Sequence, residues 1–124
     1  MTRRDDAAPT PLTPATFHIL LSLTEQPAHG YHVKRMVEER TDGAVSLGAG
    51  TLYAGIKRMA GDGLIEETGP PPEAEGVEPG SRWRFYAITD RGRRALAAEI
   101  ERMESDLEAA HAVLAGADET RHSA

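Results

Sequence analysis

Residues Gly48 to Leu64, GAGTLYAGIKRMAGDGL, hold the clearest chemical pattern in the chain. Leu52, Ile56 and Met59 recur at helical spacing and define one buried stripe. Gly50, Ala54, Lys57, Arg58 and Gly61 fall on the opposite side of the helical wheel, flanked by Thr51 and Tyr53. The outer face of such a helix is cationic and, at its centre, almost without side chains. Glycine costs a helix about 1 kcal/mol relative to alanine, so outer positions are normally filled with Glu, Lys or Gln. Bare backbone between Lys and Arg suits a helix that lies close against an anion, and a helix in the major groove of duplex DNA meets that description. Lys57 suits a phosphate, and Arg58 suits a phosphate or a base edge. Thr51 and Tyr53 bring hydroxyls to the helix N-terminus, where free N–H groups favour phosphate. Packing against Phe85 or Tyr86 is the alternative for Tyr53, and Tyr31 at the head of the preceding helix is equally open to contact or packing.

A second cationic stretch runs over residues 82–94, with Arg82, Arg84, Arg91, Arg93 and Arg94 against Asp90 alone. Arg82 and Arg84 lie on a strand, where minor-groove or phosphate contact competes with ion pairing. Arg91, Arg93 and Arg94 crowd the first turn of a helix, where cations oppose the macrodipole. Either Glu66, Glu67 or Asp90 pairs with them, or they serve phosphate. His29 and His32 have metal-ligand spacing but no third ligand in sensible register, so a structural role is expected and no metal or cofactor. No Ser/His/Asp set, phosphate-binding glycine loop or paired acids stand out, which excludes an enzyme reading.

The elements that must position these residues follow from the rest of the chain. Its 124 residues, 40% of them hydrophobic, suit one modest domain that finishes burying its surface by oligomerising. There is no cysteine, no signal-like segment and no long apolar run, so a cytoplasmic protein away from the membrane is expected. Residues 1–11 read as a disordered tail, in which Arg3 and Arg4 offer weak phosphate attraction. Thr13-Pro14 opens a first helix that runs to about Glu25. Its apolar residues Phe17, Ile19, Leu20, Leu21 and Leu23 cover more than one stripe, which calls for burial on two sides. After a turn at 26–30, a second helix spans about Tyr31 to Arg40, and the Gly48–Leu64 helix is the third. Strands are expected at 64–68 and 82–88, joined by the proline-rich and acidic loop GPPPEAEGVEPGS.

A last helix is expected from Thr89 to about Ala115, with 116–124 as a flexible tail. Its residues Leu96, Ile100, Met103, Leu107, Ala110 and Leu114 step by four, three, four, three and four, a seam that needs a partner. A homodimer through Phe17 and Leu20 of the first helix and Leu96, Ile100, Met103, Leu107 and Leu114 of the last is the expectation. The formal charge of −6 is uneven: residues 96–119 carry one arginine against seven acids. A basic face with an acidic distal region is compatible with DNA.

The chain resembles the PadR family of transcriptional regulators. The resemblance rests on His29-Gly30-Tyr31, on Gly50-Thr51-Leu52-Tyr53 with Ile56-Lys57-Arg58, on Gly63-Leu64-Ile65, and on Arg84 to Gly92, RFYAITDRG. These motifs keep the family's order over roughly residues 12–96. The resemblance implies a winged-helix dimer on palindromic promoter DNA, commonly a repressor released by small phenolic or multidrug-like effectors, in the subtype with one C-terminal helix. Gly48-Ala49 replaces the family's usual Ser-Pro, Ala54 its usual Pro, and the wing loop is longer and more acidic than usual. Trp83 lies on the wing strand rather than on the last helix, so it is read as packing. The expected fold is therefore mainly α with a small β-hairpin: a winged helix-turn-helix over 12–88 and a dimerisation helix over 89–115. The expected partners are double-stranded DNA, a second copy and an effector of unknown identity. The rival expectation is a protein–protein adaptor without specific DNA binding, motivated by the acidity.

Overall fold

The computed structural model describes residues 11–69 and 84–123, with side chains described to residue 119. The N-terminal tail with Arg3 and Arg4, most of the wing loop, Arg82 and Trp83 lie outside the described residues. The elements in chain order are α1 (Pro14–Glu25), β1 (Ala28–His29), α2 (Gly30–Arg40), α3 (Ala49–Gly61), β2 (Ile65–Thr68), β3 (Phe85–Ile88) and α4 (Asp90–Ser123).

Local chemistry sets these boundaries. The Thr13 hydroxyl accepts the N–H of Thr16 at 3.1 Å and Pro14 occupies the first turn of α1. The turn from α2 towards α3 uses Asp42 and Gly43 at positive φ, 54° and 82°. Around it the Thr41 hydroxyl donates to the Val37 carbonyl at 2.8 Å and accepts the N–H of Val45 at 3.0 Å. Leu47 then buries in the core, and α3 begins two residues later.

Helix α1 is the centre of the domain, in contact with α2, α3, α4 and β3. Ile19, Leu20 and Leu23 form a core with Val33 and Val37 of α2, Leu52, Ile56 and Met59 of α3, Ile65, Ile88 and Leu96. The wide apolar arc of α1 is thus mostly covered by its own chain. Leu20 is fully buried there and Leu96 is 5% exposed, so neither can serve a dimer interface as the sequence suggested. The periodicity was right, but a central helix and a helix between two copies have the same apolar pattern. Phe17 and Leu21 pack at the margin of the core, half-buried.

The sheet has three antiparallel strands in the order β1-β3-β2. Glu66 pairs with Ala87 and Glu67 with Tyr86, while Ala28 and His29 pair with Tyr86 and Phe85 on the other edge. The sequence had assigned 26–30 to a turn. Two residues carry no readable alternation, so β1 could not be recognised locally.

Thr89 joins β3 to α4. Its N–H donates to the Leu64 carbonyl at 3.0 Å, its hydroxyl donates to the Gly63 carbonyl at 2.6 Å and accepts the N–H of Gly92 at 3.0 Å. The first turn of α4 then packs on the turn before β2 and the end of β3 so tightly that a Cβ on Gly92 would press into the Leu64 carbonyl oxygen and lie 2.8 Å from Ile88 Cγ1. Further along, Glu99 accepts the N–H of Leu12 at 3.0 Å and pairs with Arg102, which seats α4 on the start of α1. The Leu12 N–H first, and then Arg102, hold the Glu99 carboxyl below its usual range. Beyond Arg102 every residue of α4 to 119 is exposed. The helix does not end near Ala115 but runs through Gly116 to Ser123, because one glycine weakens a helix by about 1 kcal/mol without terminating it. Its 34 residues span roughly 51 Å.

Two glycine substitutions separate fixed from free backbone. Gly92→Ala should cost at least about 2 kcal/mol in urea unfolding, since backbone rather than a movable side chain meets the new methyl. Gly55→Ala should stabilise by about 0.5–1 kcal/mol, because its methyl would meet only Ile19 and Met59 side chains at ordinary contact distance.

Candidate nucleic-acid interface

Helix α3 turns Leu52, Ile56 and Met59 into the core and leaves Gly50, Thr51, Tyr53, Ala54, Lys57, Arg58, Ala60 and Gly61 exposed. Among its glycines, a Cβ on Gly50 or Gly61 would meet nothing within 4 Å, and the same holds for Gly48, its N-cap. Packing within the chain therefore does not demand glycine at these places. No side chain caps α3, and its first turn holds no acid. The face is open, uncapped at its positive end and cationic near its C-terminus, which suits a polyanion approaching closely.

Helix α2 reaches this face through a network of its own. The His29 ring caps α2, its Nδ1 accepting the N–H of His32 at 3.2 Å. The same ring lies edge-on to Phe85 of β3 with centroids 5.3 Å apart. This is the structural role expected of His29, held by positive contacts. Lys34 and Ser46 both donate to Glu38 Oε2, at 2.6 and 2.9 Å, and tie α2 to the loop before α3. The Lys34 bond first, and then Ser46, holds the Glu38 carboxyl below its usual range. At the far end Arg40 donates to the buried Ser22 hydroxyl at 2.9 Å and pairs with Glu25 of α1.

The remaining site residues separate. Tyr31 is exposed on the first turn of α2. Tyr53 is 49% exposed, its ring edge covers Gly30, and it acts electrostatically on Tyr86 of β3. Arg84 faces Glu67 across the β2–β3 pair at 3.8 Å and lies near the Tyr86 hydroxyl, so it has structural neighbours. Arg91 is exposed, and its Cδ runs along Gly63, the positive-φ residue (80°) in the turn that ends α3. The first turn of α4 thus brings a cation to the same end of α3 as Lys57 and Arg58. Ile100, Met103, Leu107 and Leu114 are exposed by 38 to 62%, and Val113, off the seam and missed by spacing, is exposed too. The described residues contain no group of three or more potential metal ligands and no helix long and apolar enough to cross a membrane.

A helix-turn-helix whose second helix is followed by an antiparallel β2–β3 pair, with a third strand on the other edge, defines a winged-helix protein. Residues 19–98 match the transcriptional regulator PadR-like family, and the chain belongs to that family. Among solved structures it is similar to a PadR family transcription regulator from Clostridium difficile, with 22% identity over 82% of this chain and 99% of that one and a TM-score of 0.68. A putative transcriptional regulator from Thermoplasma acidophilum is 25% identical over 82% of this chain and 90% of that one, with a TM-score of 0.62. RosR of H. salinarum is 24% identical over 86% and 94%, with a TM-score of 0.60. No curated protein matches the chain.

Acid should loosen the frame of this face. Burial first, and then the neighbouring His32, pushes the His29 ring below the ordinary histidine range; burial first, and then Arg40, does the same to His18. Both rings take up protons more readily in the unfolded chain, so their contribution is complete above the unfolded value, about 6.5, and declines as pH falls below it. Urea unfolding between pH 7.5 and 5.5 should record that decline, and His29→Asn, which keeps a capping acceptor without titrating, should flatten it.

Proposed function

We propose that the chain is a homodimeric, sequence-specific DNA-binding repressor that reads a palindromic promoter site with α3. The observation that carries this reading is the outer face of α3, where exposed Lys57 and Arg58 adjoin glycines whose missing side chains would occupy empty space. On the surface of a monomeric helix those glycines are a cost without a return. Against a duplex they let the backbone approach the groove while Lys57 meets phosphate and Arg58 meets phosphate or guanine. Thr51, Tyr53 and Tyr31 add hydroxyls on the approach side, and Arg91 adds charge at the end of α3. Arg84, which already has Glu67 and Tyr86, is a secondary contact, and Arg82 belongs to the same proposal by sequence.

Dimerisation is supported by the distal stripe of α4. Ile100, Met103, Leu107 and Leu114 recur at helical spacing and stay 38 to 62% exposed among the described residues, and Phe17 lies half-buried on α1. A second copy supplies an equivalent stripe, and two α3 helices then address half-sites about one helical turn apart, roughly 34–36 Å. Relief of repression by a small effector is the mode of control that the family resemblance implies.

Anisotropy titrations of the chain's own promoter at two salt concentrations test the DNA reading. Specific binding that weakens with salt is expected, and Arg58→Ala should cost about 1–3 kcal/mol of it. No specific binding and no salt slope would leave the adaptor reading instead. Light scattering tests the dimer: Ile100→Glu or Met103→Glu should give monomers, and a surviving dimer would put the interface elsewhere.

A further inference from the structure

Gly30 is buried at the first position of α2, and the space beside it is filled from another element. A Cβ there would lie 2.8 Å from Tyr53 Cε1, 3.0 Å from the Tyr53 hydroxyl oxygen and 3.1 Å from Cζ. The far end of the Tyr53 ring therefore rests directly on the backbone at the head of α2. That ring remains half exposed on the flank of α3 that Lys57 shares, opposite the flank of Thr51. Gly30 has an ordinary helical setting, with no positive φ. Its requirement for glycine is the ring of Tyr53, not the conformation of its own backbone.

We propose that Gly30 is a positioning residue for DNA binding: by making room for Tyr53 it holds the phenol against the N-terminus of α2, preset to donate to a backbone phosphate. The inference rests on the DNA-binding reading and adds to it a division of labour between α2 and α3. Tyrosine has few rotatable bonds, and docking its ring removes most of the remaining freedom before DNA arrives. The hydroxyl then lies at the N-terminal end of α2, where the helix dipole favours a phosphate. Tyr31, exposed one residue beyond Gly30, extends the same polar edge. Two helices are thereby locked into one phosphate-facing unit by a contact that contains no hydrogen bond of its own.

The clash that an alanine at 30 creates falls on the end of a half-exposed side chain, so the Tyr53 ring can swing outward and the fold survives. The test is a double-mutant cycle on promoter affinity, with thermal unfolding of each free protein measured alongside. Gly30→Ala should lower affinity about three- to tenfold, the scale of one ordinary hydrogen bond lost or weakened. In the Tyr53→Ala background, where the space is vacant, the same substitution should change affinity less than twofold. Equal losses in both backgrounds would overturn the positioning role. Tyr53→Phe keeps the ring and removes the hydroxyl, and it should weaken binding several-fold with unfolding unchanged; undiminished affinity would overturn the proposal even if Gly30→Ala fails to fold. Wild-type protein that does not bind its promoter would instead refute the DNA-binding reading itself.

Discussion

The packing of α4 on the turn before β2 is the constraint on which the rest of the molecule depends. Four elements meet there: the turn after α3, the first residue of β2, the last of β3 and the first turn of α4. Thr89 uses both its backbone and its hydroxyl on Gly63, Leu64 and Gly92, and Gly92 admits the Leu64 carbonyl where any side chain would exclude it. The consequence is mechanical. The helix that bears the apolar stripe and the helix that bears Lys57 and Arg58 are fixed relative to one another through a few backbone contacts, with no long side chain in between.

The glycines divide into two kinds, and the division carries functional information that composition alone hides. Gly30 and Gly92 are needed because another group occupies the place of their Cβ, and Gly43 and Gly63 because their φ is positive. Gly50 and Gly61 have neither excuse. Their backbone is helical, the neighbouring space is empty, and alanine would make a better helix at each. Glycines that are locally unfavourable and unsupported by packing, set among Lys57 and Arg58, are what the proposed close approach of an anion would use.

Much of this was legible in the sequence because the signals were local. The Thr13-Pro14 start of α1, the stripe of α3, the hairpin strands and the Thr89 start of α4 each depend on spacing or capping within a few residues. What escaped depends on distant partners. The two-residue β1 exists only because Phe85 and Tyr86 offer it an edge. Leu20 and Leu96 follow the same apolar periodicity as interface residues, and only the packing of four elements around α1 assigns them to the core. The docking of Tyr53 on Gly30 joins two motifs more than twenty residues apart, each readable alone as turn or helix chemistry. Their pairing is a fact of packing.

The net charge of the chain appears opposed to a polyanionic partner, and geometry removes the opposition. The acids of α4 are concentrated beyond Glu99, whereas Arg91 lies at the end of α3. From Arg91 to Glu99, where that stretch begins, the helix advances eight residues, about 12 Å along its axis. That exceeds the screening length of about 8 Å in physiological salt. A duplex against α3 would meet Lys57, Arg58, Arg91 and the uncapped end of α3 at short range, with Asp62 and Asp90 beside them, and the acids beyond Glu99 only through a screened field. Separating the charges along one helix leaves an acidic surface at one end and a cationic face at the other, so the net charge does not by itself oppose the proposed contact of that face with a duplex.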